Sequence, residues 1–481
     1  MEKLICFDKL IVEKPKISKD SFLTNYIIEK NGKREICEFR HKYEEDVLGS
    51  NIQVYANLIS GVPAINHGLF AREIIFEYNL NQQEFSFFDD MLRKMSIEIF
   101  VNRFYKDPIP FIKESYIPKE SEVTLENACS KATFTAGIEN RISTFETDPN
   151  KIVVLSSGGK ESLLCYGLIK EAEMEVYPIF INESGGHWKT ALTAYRAFKE
   201  DDSKTKRVWS NVDRLYTFLV RNLKVIKEDI KGVRSITDPI HFFSFAHYIF
   251  STLPLIEKNG IGNICIGNEF DEPNSILEGK NKINDVEFFP GIYDQSQEFD
   301  SYMTKWFNYA GFNIKQWAPI RSITGFLVQK ILAERYHNLF KLQTSCHHTH
   351  IKDNEVIPCG SCQKCTRILS FCISNGIDYT QINYSKDDIK KLHKNLEDLK
   401  LGPEELEHTY HKLSKNGFNV SGIKHDHVEK LHFDPVSSNF ENIPKQFRTK
   451  IYPILLSNSK GAVKLSNKGN WEDFNLETIL R

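Results

Sequence analysis

The sequence predicts an α/β protein whose centre is a parallel sheet flanked by helices. Three observations carry that expectation. KIVVLSS (151–157), VYPIFIN (176–182) and NICIGNE (263–269) are short apolar runs of the kind buried on both faces of a sheet. Helical patterns lie between them, notably SLLCYGLIKEA after the first run and residues 239–258 before the third. Each run ends in polar residues: Ser156-Ser157-Gly158-Gly159, Asn182-Glu183-Ser184-Gly185-Gly186 and Gly267-Asn268-Glu269. Chemistry in such sheets sits at the carboxyl ends of the strands, so these endings mark the expected site.

The flanks read differently. The 481 residues fit about three domains at roughly 150 residues each. Residues 1–145 predict an α+β domain. It contains TNYIIEK-Asn31-Gly32-KREICEFR, two β-rich runs joined by a hairpin dipeptide. Residues 85–105 have helical periodicity through Phe88, Met91, Leu92, Met95, Ile99 and Phe100. The core domain is placed at 146–375 and a mainly helical extension at 376–481. Within that extension KDDIKKLHKNLEDLK and PEELEHTYHKLSKNG predict amphipathic helices, and 445–481 short strands and turns.

Composition excludes some classes. Lys plus Arg number 62 and Asp plus Glu 64, a net charge of −2. That balance argues against a protein that coats nucleic acid. The charged N-terminus MEKLICFDKLIVEKPK is not a signal peptide, and no run approaches a spanning helix, so a cytoplasmic location without a membrane partner is expected. Of the ten cysteines, Cys6, Cys37, Cys129, Cys165, Cys265 and Cys372 are scattered and read mostly as small core residues.

Ser157-Gly158-Gly159-Lys160-Glu161-Ser162 follows a strand and opens a helix, which makes an anion nest. Ser157 and Ser162 supply hydroxyl donors and Lys160 a positive charge. The spacing is neither a Walker loop nor G-x-G-x-x-G. The other four cysteines, Cys346, Cys359, Cys362 and Cys365, lie within twenty residues. Such spacing predicts a closed tetrahedral zinc site, with His347, His348 and His350 as alternates for one position. An iron–sulfur cluster is the weaker alternative.

LSSGGKESLL resembles the S-G-G-x-D-S pyrophosphate loop of the N-type ATP pyrophosphatases (PP-loop enzymes), with Glu161 where that superfamily has Asp. The resemblance implies an adenine nucleotide alpha hydrolase-like fold that uses ATP and Mg2+ to adenylate a small carboxylate substrate, releasing pyrophosphate. Ser156, Ser157, Gly158, Gly159, Lys160, Glu161 and Ser162 would bind the nucleotide phosphates. Ile181 and Asn182 would lie against adenine, and Glu161 is the carboxylate expected nearest the magnesium. With the cysteine cluster added, residues 150–375 are similar to the 7-cyano-7-deazaguanine synthases, although the G-Y-P-D-C-R loop of that family is missing. They are also similar to the ATP-dependent epimerases of UDP-MurNAc-L-Ala-L-Glu. Those share a Gly-Asn-Glu strand end (Gly267, Asn268, Glu269), a Gln295-Ser296 segment with Phe299-Asp300, and an element like Pro319-Ile320-Arg321. A homodimer is consistent with either relative.

Glu183, His187, Glu269, Asp271 and Tyr293 are the candidate acid–base groups, and Arg207 and Arg321 the candidate anion binders. Trp188 and Trp209 read as core packing, with stacking on a base the lesser reading. Two other classes compete with a small-molecule enzyme. One is modification of a nucleic acid or protein, in a defence system, docked on the 385–432 surface. The other is an inactive nucleotide-binding module, to which Glu161 in place of Asp would point.

Overall fold

Five parallel strands form the centre that the apolar runs predicted, and the sheet then continues into the N-terminal region. The computed structural model describes residues 2–183, 185, 187–230, 243–270 and 281–480. Strands β1 (Phe7–Val12), β2 (Lys16–Ile17), β3 (Ser21–Lys30), β4 (Lys33–Tyr43), β5 (Ala71–Leu80) and β6 (Thr133–Ile138) come from the first 145 residues. They are followed by β7 (Asp148–Ser156), β8 (Glu175–Asn182), β9 (Lys206–Ser210) and β10 (Ile261–Cys265). A small hairpin, β11 (Lys282–Ile283) and β12 (Val286–Glu287), precedes β13 (Lys315–Trp317). The main sheet runs β13-β10-β7-β8-β9-β4-β3-β1-β5-β6, with β2 beside β3.

Strands β13, β10, β7, β8 and β9 are mutually parallel. The chain goes from β7 to β8 and β9 on one side, then crosses to β10 and β13 on the other. That reversal opens a crevice between the carboxyl ends of β7 and β10, where ligands bind in open α/β sheets. Strands β9 and β13 were not anticipated, because Lys206–Ser210 and Lys315–Trp317 are too short and too polar to show a periodic signal.

The Asn31-Gly32 hairpin forms as expected, with both turn residues at positive φ and Ser21–Lys30 paired in register with Lys33–Lys42. Strand β4 then pairs antiparallel with β9 through His41–Tyr43 and Val208–Ser210. The change of texture at 145 is therefore not a break in the sheet. Nor is it a break in packing, since Phe87 meets Phe250 and Trp306 at ring separations of 5.1 Å. The helix predicted at 85–105 spans Gln82–Glu98, fixed at its start by a capping box between Asn81 and Glu84, and continues as a π-helical segment to Lys106.

The C-terminal region packs on the opposite face, where Phe447 stacks on Trp317. Its two amphipathic helices appear as Lys386–Asn395 and Pro403–Lys415. The tail corrects one expectation: it begins with a helix, Lys445–Ser457, before the short strands Ala462–Leu465 and Trp471–Asp473. Cys6, Cys165, Cys265 and Cys372 are buried as expected, whereas Cys37 and Cys129 are only partly so. Among the described residues no helix is long and apolar enough to cross a membrane.

Buried titratable groups set the pH response of stability. Burial pushes Glu98 up to about 8, and Glu84 and Asp294 up to about 7. In the folded chain these carboxyls hold protons that the unfolded chain has already released, so stability falls as pH rises through 7 to 8. Burial holds His41 well below 6.5, His247 at about 4 and His432 at about 3. Those groups refuse protons that the unfolded chain takes up below 6.5. Tm is therefore expected to rise by several degrees from pH 8.5 to pH 6.5 and to gain little below that. Glu98→Gln should flatten the alkaline arm in a thermal-shift series. A wild-type Tm independent of pH over that range would contradict the assignment.

Candidate active site

The loop after β7 turns on Gly158, whose φ of +75° favours glycine. A Cβ there would also sit 2.9 Å from the Thr190 carbonyl oxygen. Gly159 caps the helix Lys160–Glu171 without a side chain of its own. Ser162 instead ties the loop to the helix: its Oγ accepts from the Ser157 N–H at 3.1 Å and donates to the Gly159 carbonyl at 3.2 Å. The Gly159 N–H donates to Ser157 Oγ at 3.3 Å. The first turn of the helix leaves N–H groups without intrahelical partners, and they carry the positive end of the helix dipole.

A cavity of about 620 Å³ opens beside this loop at the crevice. Leu155, Ile179, Ile181 and Ile266 line it from the strands, and Tyr216, Phe245 and Tyr248 from the helices opposite. Ser156, Ser157, Glu161, Ser162, Glu183, Asp213, Asn268, Glu269 and Gln295 supply polar lining. Asn268 Nδ2 is a buried donor with no acceptor among the described residues. A smaller recess of about 120 Å³ continues past Ser157, Gly159 and Thr344-Ser345-Cys346. Lys364 and Arg367, on the helix Gln363–Ser374, face both spaces. These two cations were missed in the sequence. The available signal was a Lys and an Arg three apart on the helix that the cysteine cluster opens.

Lys160 is engaged within the protein. Its ammonium is buried and bridges two carboxylates, Glu161 at 2.5 Å and Glu269. It also borders the smaller recess beside the loop. Burial works against the charge on Glu161, but Lys160 outweighs it and lowers that pKa, while burial raises Glu269. Glu405, from the C-terminal helix Pro403–Lys415, accepts from the Phe326 N–H at 2.7 Å and is pushed up to about 7 by burial, with Glu269 adding to it. Arg367 Nη1 lies 3.9 Å from Glu269.

The four cysteines converge. Cys362 lies 3.5 Å from Cys365 and 3.9 Å from Cys346, and Cys359 lies 3.8 Å from Cys365, sulfur to sulfur. A tetrahedral ion about 2.3 Å from each thiolate sets sulfurs about 3.8 Å apart, so the four are placed to hold a metal ion such as zinc. The gap between Cys346 and Cys359 is spent on a hairpin, His350–Lys352 with Glu355–Ile357, which returns the chain. Backbone N–H groups of His347, His348, Cys359 and Cys362 donate to the sulfurs at 3.2 to 3.4 Å. The cluster is tied to the loop directly, because the Thr344 N–H donates to the Gly158 carbonyl at 2.9 Å.

Other expected residues fall outside the cavity. Arg321 is buried against Asp300 at 2.8 Å and donates to the Gln295 carbonyl at 2.7 Å, so it positions a wall residue from behind. Tyr293 is buried beneath Lys94, 3.5 Å from its ring centre, and packs on Phe299. Arg207 pairs with Glu44 at 3.2 Å and lies over the Trp188 and Tyr195 rings, joining core to N-terminal region. Asn182 is buried at the end of β8 behind the lining residue Ile181. Trp209 lies in β9 opposite Lys42. His187 begins the helix His187–Asp201 with its side chain outside the described residues, as is Asp271 altogether. No protein-family model matches the chain, and no curated protein matches it significantly.

Proposed function

We propose that this chain is an ATP-dependent enzyme that adenylates a small carboxylate substrate and releases pyrophosphate. The observation that carries the reading is the position of the Ser157–Ser162 loop. It lies at the sheet's reversal point and opens into a cavity with apolar walls at the strand ends and two cations across from the helix N-terminus. The volume lies within the range of about 300–1,000 Å³ typical of small-molecule sites, which favours a small carboxylate over a macromolecule.

In this reading the loop N–H groups and the Ser157 and Ser162 hydroxyls hold the β- and γ-phosphates, and Leu155, Ile179 and Ile181 line the slot for adenine. The substrate carboxylate attacks the α-phosphorus. The bond from that phosphorus to the bridging oxygen breaks, and the pyrophosphate oxygen takes up the charge. Lys364 and Arg367 neutralise that charge as it develops, which is where fixed cations lower a barrier most. Glu161 and Glu269 offer hard oxygen donors at the cavity wall and would hold Mg2+, which supplies further charge neutralisation on the phosphates.

The test is pyrophosphate and AMP release from ATP with magnesium, against a panel including 7-carboxy-7-deazaguanine and UDP-MurNAc-L-Ala-L-Glu. Substrate-dependent pyrophosphate is expected, reduced about a hundredfold or more in Ser162→Ala. The compound that triggers it names the step that follows, nitrile formation or epimerisation. Release of ADP and phosphate would sink the assignment. ATP binding without turnover on any small carboxylate would move the reading to a macromolecular substrate or an inactive module.

A further inference from the structure

A second group of metal-ligating side chains lies in the C-terminal region, away from the four cysteines. Glu404 stands in the first turn of the helix Pro403–Lys415. His425 and His427 come from the loop that follows the helix, and His427 lies in its short 3-10 turn Asp426–Glu429. One donor atom from each of the three lies within 4.8 Å of the others.

Three details fit a shared ion. His427 Nε2 and Glu404 Oε2 are both buried and lie 3.0 Å apart, a separation that two ligands of one ion also adopt. His425 Nδ1 lies 3.8 Å from Glu404 Oε1, too far for a hydrogen bond. Donors about 2.0–2.2 Å from a shared ion sit roughly 3.0–3.6 Å apart, and Glu404 turns one oxygen to each imidazole, so a carboxylate holding the ion through both oxygens needs little adjustment. Finally, the outer nitrogen of each imidazole is already engaged. His425 Nε2 meets Glu407 Oε2 at 2.6 Å, and His427 Nδ1 meets the buried His432 Nε2 at 3.0 Å. This is how proteins orient ligating histidines, with the inner nitrogen left to the ion. Trp471 stacks beside His427 and walls the group on one side.

We propose that Glu404, His425 Nδ1 and His427 Nε2 bind a divalent transition-metal ion, Zn2+ above all, with Glu407 and His432 fixing the two imidazoles. One carboxylate and two imidazoles suit zinc, and three protein donors leave a coordination position for water or a ligand. The site stands behind the wall of the active-site cavity. Glu404 adjoins Glu405, whose carboxyl feels Glu269, and the His432 ring stacks at 4.2 Å on Phe270, the residue after Glu269. The ion would clamp the loop 416–430 to the helix that delivers Glu405.

The experiment counts zinc in the full-length chain after equilibrium dialysis against buffered Zn2+, by elemental analysis. Two ions per chain are expected in the wild type. The double variant His425→Ala, His427→Ala should hold one, and a Cys365→Ser variant should lose the other. Cobalt substitution distinguishes the sites without reference to activity, because only the cysteine site gives intense sulfur-to-metal charge-transfer bands. Those bands should survive in the double variant. Glu407→Gln leaves all three donors in place and should weaken the second ion about 10- to 100-fold. A single ion in the wild type, or two in the double variant, overturns the proposal. If the double variant loses both ions through misfolding, Glu407→Gln decides, and unchanged zinc affinity there overturns it.

Discussion

Cys365→Ser is expected to release the metal from the cysteine cluster and to lower Tm by on the order of 10 °C or more. Cys365 is fully buried, with Cys362 and Cys359 at 3.5 and 3.8 Å, so its sulfur is held at the centre of the ligand set. Structural zinc contributes several kcal/mol or more to folding, because the unfolded chain has no preformed site. The effect should reach the loop after β7 as well, where the proposed chemistry places the nucleotide. The segment Thr344-Ser345-Cys346 is held at one end by the cluster and donates to Gly158 at the other. Loss of the ion should therefore weaken ATP binding at residues that never touch it. Metal analysis, a thermal scan and a nucleotide titration on one preparation check the chain of effects. Retained metal with an unchanged Tm would mean that the cysteines are not the full ligand set.

Arg367→Ala carries the second large effect, a fall of about 10²–10³ in pyrophosphate formation under the proposed chemistry. Its guanidinium borders both spaces beside the loop and lies 3.9 Å from Glu269. Truncation removes a fixed cation where the leaving group gathers charge and frees Glu269 to bind Lys160 alone. Two other arginines serve as contrasts. Arg207→Ala breaks a partly exposed pair with Glu44 and should leave the rate within a few-fold. Arg321→Ala strands Asp300 in the core, and the loss should appear as about 3–5 kcal/mol of stability before it appears in kcat. Single-turnover rates with parallel thermal scans separate the three. An equal kinetic loss at Arg207 would contradict the placement of the phosphates.

Features legible in the sequence were those governed by short spacings. The runs at 151–157 and 176–182 became β7 and β8, and the Asn31-Gly32 turn set the register of β3 on β4. The cysteines were readable because thiolates that must converge on one point need tight local turns, and the intervening hairpin returns the fourth. The glycine loop was readable because only glycine tolerates the backbone at 158. Strands β9 and β13 carried no such signal, and their assignment depends on neighbours far along the chain.

The charged residues mark the limit. Lys160, Arg207, Tyr293 and Arg321 had the right chemistry for phosphate, carboxylate or proton transfer, and the fold directs each toward another protein group. Lys364 and Arg367, which the sequence did not single out, face the cavity, and Glu405, from an amphipathic helix, reaches its acidic edge. By itself the sequence determined the parallel core, the glycine turn after β7 and the four-cysteine cluster, since each follows from backbone periodicity or from spacing over a few residues. Only the tertiary structure decided which charges pair within the protein and which face the cavity. A charge is spent on whichever partner lies nearest in space, and Lys160 with Glu269, Arg321 with Asp300 and Glu404 with His427 are brought together across 20 to more than 100 residues of chain.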